Sequence, residues 1–370
     1  MGTFQAPNKV GLVHDYLLTM RGAERTFAAM TDCWPGAPVY TTIYDKDEVG
    51  WRFVDHEVQA SYLQVLGIGQ KGFRRLLPFF PHAIERLPVV DHDMIISSSS
   101  AFAHGVRPGP GVVHICYCHS PFRYAWHERA RALSEVPYRL RPVINMLLDR
   151  IKRWDISAAN RVTHYIANSK ITQKRIAENY GRDSIVINPP VNIERFGPPQ
   201  EPENFFLFVG EVVSHKRVDV AIEAAHRAGV KIKIVGDGPE RKRLSVKYEA
   251  TADFLGRVTD KQLDTLYARA RALVVPNVEE FGIAAVEAQA AGRPVLAMDR
   301  GGTAETVKHG LTGILVRDGS VDEFAEMMAT TDFADFDSAH IVIHAQQFSA
   351  DRFRHEIADF VSSHTTGQLG

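Results

Sequence analysis

The sequence predicts an α/β protein of two domains, each built on a parallel sheet covered by helices on both faces. Two observations carry this. At 370 residues with 45% apolar side chains, the chain is too long for one ordinary core and apolar enough to fill two. From Phe205 to about Thr330, short β-branched runs alternate with helix-period segments, the pattern of repeated strand–helix units.

In that half the strands read as 205–213, 231–235, 252–255, 272–276, 294–298 and 313–316. Helical periodicity falls between them, over 218–228, 240–249, 260–270, 283–291 and 321–329. Earlier in the chain, strands are expected at 9–14, 94–97, 112–118 and 165–168, with a helix at 22–30. The Pro-rich passage 188–203 fits neither a central strand nor a helix interior, so it reads as the linker. The expected division is a first domain over 1–190, a second over 191–345, and a last helix, roughly 350–362, that crosses back to brace the first.

The net charge of −1 gives no general field to hold a nucleic-acid backbone, and nucleic acid is not an expected partner. Residues 1–195 nevertheless carry about +6 and the remainder about −7, which reads either as halves that face different partners, an anionic surface for the first among them, or as ordinary solvated charge. Three cysteines (Cys33, Cys116, Cys118) give no disulfide framework, which fits a reducing, cytoplasmic setting. Neither a signal peptide nor a spanning helix is expected.

The densest chemical signal is Val275-Pro-Asn-Val-Glu-Glu-Phe-Gly-Ile-Ala-Ala-Val-Glu287, which leaves a strand end, turns through Gly282 and enters a helix. Glycine lets the backbone approach an anion, and the amides of the next turn, around Ile283 and Ala284, supply donors at the positive end of the helix dipole. Such a turn can make a diphosphate site. Glu279 and Glu287, seven residues intervening, can take hydroxyls at opposite ends of one sugar nucleotide, Glu287 the ribose and Glu279 the transferred sugar. One isolated carboxylate would read as a helix-dipole partner or a solvated residue; the combination argues for a site. His114, Cys116 and Cys118 alternate along a strand about 7 Å apart, too far for one tetrahedral ion, and read as core. Asp91-His-Asp93 reads as a turn, and no metal is expected.

This combination resembles the Glu-x7-Glu motif of the retaining family 4 glycosyltransferases, which have the GT-B fold. Further passages carry the likeness: Val13-His-Asp-Tyr16, Arg21-Gly-Ala-Glu24, Cys118-His-Ser-Pro-Phe-Arg-Tyr-Ala-Trp126, Ala167-Asn-Ser169, 208–219, Val235-Gly-Asp-Gly-Pro-Glu240, Phe254-Leu-Gly-Arg-Val258 and Gly301-Gly-Thr-Ala-Glu-Thr-Val307. The resemblance implies two Rossmann-like domains facing each other across a cleft, the second holding the donor. It is nearest to bacterial mannosyltransferases of O-antigen and exopolysaccharide synthesis, which implies GDP-mannose.

Carried over residue by residue, the resemblance implies that Lys216 binds the donor diphosphate and that His119 lies beside the reacting sugar. It implies Glu279 on the transferred sugar, Gly22 in a loop near the phosphates, Val258 at the base, and Phe281, Gly282, Ile283 and Glu287 on the donor. Glu211 stands where related enzymes usually carry an arginine against the diphosphate, which leaves three readings open: Glu211 points away, another base such as Arg217 substitutes on the diphosphate, or activity is reduced. The implied mechanism needs no cofactor or metal: retention at the anomeric carbon, with the leaving diphosphate helping to deprotonate the acceptor. For the acceptor, a glycan or lipid-diphosphate-linked glycan, two basic stretches matter. Lys71 to Phe80 interleaves cations with Phe73, Leu76, Leu77, Phe79 and Phe80, and 139–153 adds more charge. These form either a surface for an anionic membrane or part of a core. Rival readings are a sugar-nucleotide epimerase, a nucleotide- or glycan-binding protein without catalysis and, last, a nicotinamide dehydrogenase, whose Gly-x-Gly-x-x-Gly turn is missing between the first strand and helix.

Overall fold

A computed structural model describes residues 9–69 and 72–365, so the chain's first residues and Lys71 lie outside it. The chain divides into two compact units, one of residues up to Asn188 together with those from Phe353 on, the other Pro189–Arg352.

The first unit carries seven strands: β1 (Val10–His14), β2 (Val39–Thr41), β3 (Val58–Ala60), β4 (Met94–Ser99), β5 (Val113–Cys118), β6 (His164–Ala167) and β7 (Ser184–Val186). They pair in the order β3-β2-β1-β4-β5-β6-β7, all parallel. A parallel sheet covered on both faces must bury both sides of its strands, and every residue of β1, β4 and β5 is buried. One face packs Leu12, Phe27, Ile96 and Ile115. Phe353, Ile357 and Val361 of the helix Ala350–Thr365 join the same cluster, a spacing of four that puts them on one helix face. The other face packs Val13, Ile95, Phe102, Leu148 and Ile151.

The second unit carries β8 (Phe206–Val209), β9 (Ile232–Val235), β10 (Ala252–Gly256), β11 (Leu273–Val275), β12 (Val295–Met298) and β13 (Gly313–Val316). Their order is β10-β9-β8-β11-β12-β13, again all parallel. Both sheets therefore reverse their strand order once, between β1 and β4 and between β8 and β11. In such sheets ligands bind outside the carboxyl ends of the strands at that reversal.

The helices start and stop where short polar residues and glycine allow. Thr259 accepts from the Gln262 amide while the Gln262 side chain accepts from the Thr259 amide, which closes both ends of a capping box on helix Asp260–Arg269. Helix Lys170–Tyr180 begins at Ser169 and ends at Gly181, which takes the left-handed conformation (φ 64°) that only glycine adopts cheaply.

Several expectations are corrected. The strand expected over 205–213 stops at Val209, because Gly210 and Val212 turn to bond the carbonyls of Val235 and Asp237. The stretch 139–153, read only as basic, begins in the 3-10 turn Tyr138–Leu140 and continues into the 19-residue helix Arg141–Ala159. Strands β2, β3 and β7, three residues each, had no expectation at all. In the apolar basic stretch, Leu76 and Phe80 are buried and Phe73 and Leu77 pack on the same cluster, while Phe79 is exposed. Four of its five large apolar side chains thus serve the core. Among the described residues no helix is long and apolar enough to cross a membrane.

Candidate functional site

In the second unit, the residues at the strand-order reversal assemble an ion pair beside a helix N-terminus. Lys216 closes the 3-10 turn Ser214–Lys216 that follows β8, and its Nζ lies 2.6 Å from Glu279 Oε1. The same oxygen accepts from Asn277 Nδ2 at 2.9 Å. Both partners of the pair are about a quarter exposed, so the pair can still be reached by a ligand.

The loop carrying Glu279 is held against the one after β12. Glu279 bridges to Gly301, and the Gly302 amide donates to the Glu279 carbonyl at 2.7 Å. A Cβ on Gly302 would sit 2.2 Å from the Phe281 Cα, so only glycine permits this approach. Gly282 caps the helix Ile283–Ala290 at φ 94°, a conformation that favours glycine. The first intrahelical bonds run from Ala285 and Val286 to the Gly282 carbonyl. By helix geometry, the amides of Ile283 and Ala284 are left at the open first turn, where an anion is stabilised.

Glu287 lies one turn further along and is buried. Its Oε2 accepts from the Tyr267 hydroxyl at 2.9 Å, and its Oε1 lies 3.4 Å from Arg195 Nη2. Val258, just beyond β10, is half-buried against the cluster that contains Tyr267. Phe281 is buried, edge-on to Phe348 at 5.6 Å, so its side chain belongs to the core and only its backbone faces the loop.

Arg217 has partners of its own. Its guanidinium donates to the carbonyls of Pro276 at 3.1 Å and Gly319 at 2.7 Å, and it lies against the Met298 sulfur. It also takes φ 51°, the one non-glycine residue at positive φ among those described. These bonds tie the loops after β11 and β13 together through Arg217. Glu211 is exposed on the turn after β8.

In the first unit, the reversal lies between the ends of β1 and β4. Asp15 is buried there and accepts from the amides of Ser100, Phe102 and Ala103 at 2.6–2.7 Å, and from the Ser100 hydroxyl. This carboxylate fixes the turn that follows β4. His119, directly after β5, is buried; its Nε2 lies 2.9 Å from Ser98 Oγ, and its amide donates to the Ser99 carbonyl. Burial, reinforced by His14 and Arg123 and opposed by Asp15, pushes its pKa down to about 3. His119 is therefore a neutral imidazole at any ordinary pH, a hydrogen-bonding group and not a cation.

Gly22 opens the helix Gly22–Thr31, and Glu24 Oε2 accepts from the Arg21 amide at 3.1 Å, which ties down the loop before it. Burial raises the Glu24 pKa to about 7. His114 and Cys116 are fully buried in β5, and the His114 imidazole is paired with Ser97 Oγ at 2.8 Å. Among the described residues no cluster of three or more His, Cys, Asp or Glu could hold a metal ion.

Sequence reasoning missed Arg195, Tyr267 and Asn277. Arg195 lay in the segment dismissed as linker, and Tyr267 in a helix read only for its period. Asn277 stood two residues before Glu279 inside the quoted motif, where a polar side chain so close to the carboxylate was an available signal.

The chain resembles known proteins along most of its length. The model of Glycosyltransferase Family 4 matches residues 20–195, and that of Glycosyl transferases group 1 matches residues 192–331. An uncharacterized glycosyltransferase of Methanocaldococcus jannaschii is 35% identical over 147 residues, 36% of this chain and 37% of that protein. The D-inositol 3-phosphate glycosyltransferase of Nocardia farcinica is 31% identical over 207 residues, 47% of this chain and 45% of that protein. The matches thus span less than half the length of these relatives. Among solved structures, Anabaena HepE in complex with UDP aligns with a TM-score of 0.69 at 19% identity, over 96% of this chain and 100% of that one. Two adjoining family models, a pair of parallel sheets and a GT-B structural neighbour agree: the chain belongs to the family 4 glycosyltransferases.

Proposed function

We propose that this protein is a retaining hexosyltransferase that takes a hexose from a sugar nucleotide, mannose from GDP-mannose being favoured. Its acceptor is a glycan or a polyprenyl-diphosphate-linked oligosaccharide of cell-surface polysaccharide synthesis. The observation that carries the reading is the Lys216–Glu279 pair beside the glycine-started helix that ends its first turn near Glu287. Without donor, each charge of the pair neutralises the other. A bound diphosphate draws the ammonium toward its oxygens, and Glu279 turns its carboxylate to the hexose hydroxyls. The same lysine then stabilises the charge that grows on the leaving group.

In the transfer, the bond from the anomeric carbon to the diphosphate oxygen breaks as the bond to the acceptor oxygen forms on the same face. The acceptor proton passes to the departing diphosphate. A neutral His119 suits the neighbourhood of the positive anomeric carbon, which an imidazolium would repel. The domain with Lys216 and Glu287 binds the donor and the other the acceptor.

A UDP-sugar is the second donor reading, supported by Anabaena HepE having been solved with UDP-glucose. For the acceptor, the helix Arg141–Ala159 supports contact with an anionic membrane, since Val143 and Met146 are exposed near Arg150 and Arg153. Incubating the protein with UDP- and GDP-sugars and a lipid-linked acceptor, and reading the anomeric product by NMR, tests the assignment. One donor is expected to give an axial-to-axial product. An inverted product would overturn the retaining assignment while leaving a transferase, and no turnover with any donor would leave only a binding protein.

A further inference from the structure

Arg195 stands outside every role assigned above, and its surroundings give it one. We propose that Arg195 is a positioning residue that holds Glu287 in the orientation receiving the ribose hydroxyls. This rests on the reading of Glu287 as the ribose ligand. Arg195 ends the 3-10 turn Ile193–Arg195 in the Pro-rich segment, and its side chain is only 14% exposed. Its Nε lies 3.0 Å from Asp264 Oδ1 and its Nη2 3.4 Å from Glu287 Oε1. Its guanidinium carbon stacks 4.6 Å from the Phe196 ring centroid, and that ring meets Tyr267 edge-on at 5.8 Å.

Glu287 is thus held on one oxygen by Arg195 and on the other by the Tyr267 hydroxyl. A carboxylate accepts about four hydrogen bonds, so contacts that hold it and contacts to a ligand coexist on it. A planar guanidinium spans two carboxylates at once, which a lysine ammonium on a flexible stem does not reproduce. One cation between two carboxylates leaves the cluster net negative. Such a site favours a neutral diol, which donates hydrogen bonds, over a phosphate or carboxylate. A buried ion pair is weak evidence for a stabilising role, which makes an orienting role the stronger account of this one.

The test is calorimetric titration of the full chain with UDP and GDP, each against its 2′,3′-dideoxy analogue, on wild type, Arg195→Ala, Arg195→Lys and Glu287→Ala. Arg195→Ala is expected to weaken the ribonucleotide about tenfold and leave the dideoxy analogue unchanged, with partial recovery in Arg195→Lys. Retained dideoxy binding also shows that the variant is folded. If Glu287→Ala loses the ribonucleotide preference and Arg195→Ala keeps it, the positioning role is overturned and the ribose reading stands. If Glu287→Ala keeps the preference, or wild type binds neither nucleotide, the ribose reading itself falls and this proposal with it. Equal weakening of both ligands by Arg195→Ala assigns it a merely structural role and overturns the proposal.

Discussion

The two sheets share a strand order, yet the ends of their strands are furnished in opposite ways. In the second unit the reversal carries an accessible ion pair, Lys216 with Glu279, and an open helix start at Gly282. In the first it carries buried groups held neutral or saturated: His119 without charge, and Asp15 enclosed by four donors. A diphosphate needs mobile positive charge and free amides, whereas a carbon that turns positive needs neighbours that do not repel it. The same kind of scaffold thus carries different chemistry at its strand ends, which is why fold alone does not fix function.

The largest effect that would sharpen this contrast is on turnover. Lys216→Ala and Glu279→Ala are each expected to lower kcat about a hundredfold to a thousandfold, measured as nucleotide release with saturating donor. Losses below about threefold for both would remove the second unit from the chemistry.

The next effect is on stability in acid, and it belongs to the first unit. Burial lowers the pKa of His14 to about 4 and of His114 and His119 to about 3, against 6.5 unfolded. Below pH 6.5 the unfolded chain binds protons that the folded chain refuses. Stability therefore falls as pH drops from 6.5 toward 3, by up to about 1.4 kcal/mol per pH unit for each histidine. Glu24 acts in the opposite sense. Its pKa is raised from 4.5 to about 7, so its contribution is full below 4.5 and is lost as pH rises through 7. Glu24→Gln should steepen the decline of stability between pH 6.5 and 4.5, followed by urea unfolding at stepped pH. An unchanged slope would contradict the burial of a titrating Glu24.

How much of this was legible in the sequence differs between the units for a physical reason. In the second unit the strands are mostly compact apolar runs separated by helix-period segments, so β13 was read at its observed ends and helix Val218–Arg227 within one residue. In the first unit β2 and β3 are three residues long, too short for periodicity to register. Helix Arg141–Ala159 hid behind Pro142 and its charges, although proline at the first turn of a helix is tolerated. The motif around Glu279 and Glu287 was legible because local chain geometry makes it. The partners of Glu287 were not, since Arg195 and Tyr267 reach it from distant parts of the chain.

Arg217 sharpens the comparison in a smaller way, because its side chain ties loops together at the strand ends of the second unit. Arg217→Ala is expected to destabilise the protein by about 1–3 kcal/mol through lost bonds to Pro276 and Gly319, read by thermal unfolding. Nucleotide affinity should change by less than about twofold, and a larger loss would restore Arg217 to the donor site. Smaller still is Val258→Ala, a half-buried trimming at the expected base contact, which should weaken UDP or GDP by about threefold or less in a titration.

The most direct test of the division between the units is nucleotide binding alone. UDP and GDP would be titrated into wild type, Lys216→Ala and His119→Ala, with no acceptor present. A second-unit donor site predicts that Lys216→Ala loses about tenfold or more of the affinity for the bound nucleotide while His119→Ala matches wild type. Equal losses in both variants, or a loss confined to His119→Ala, would contradict it.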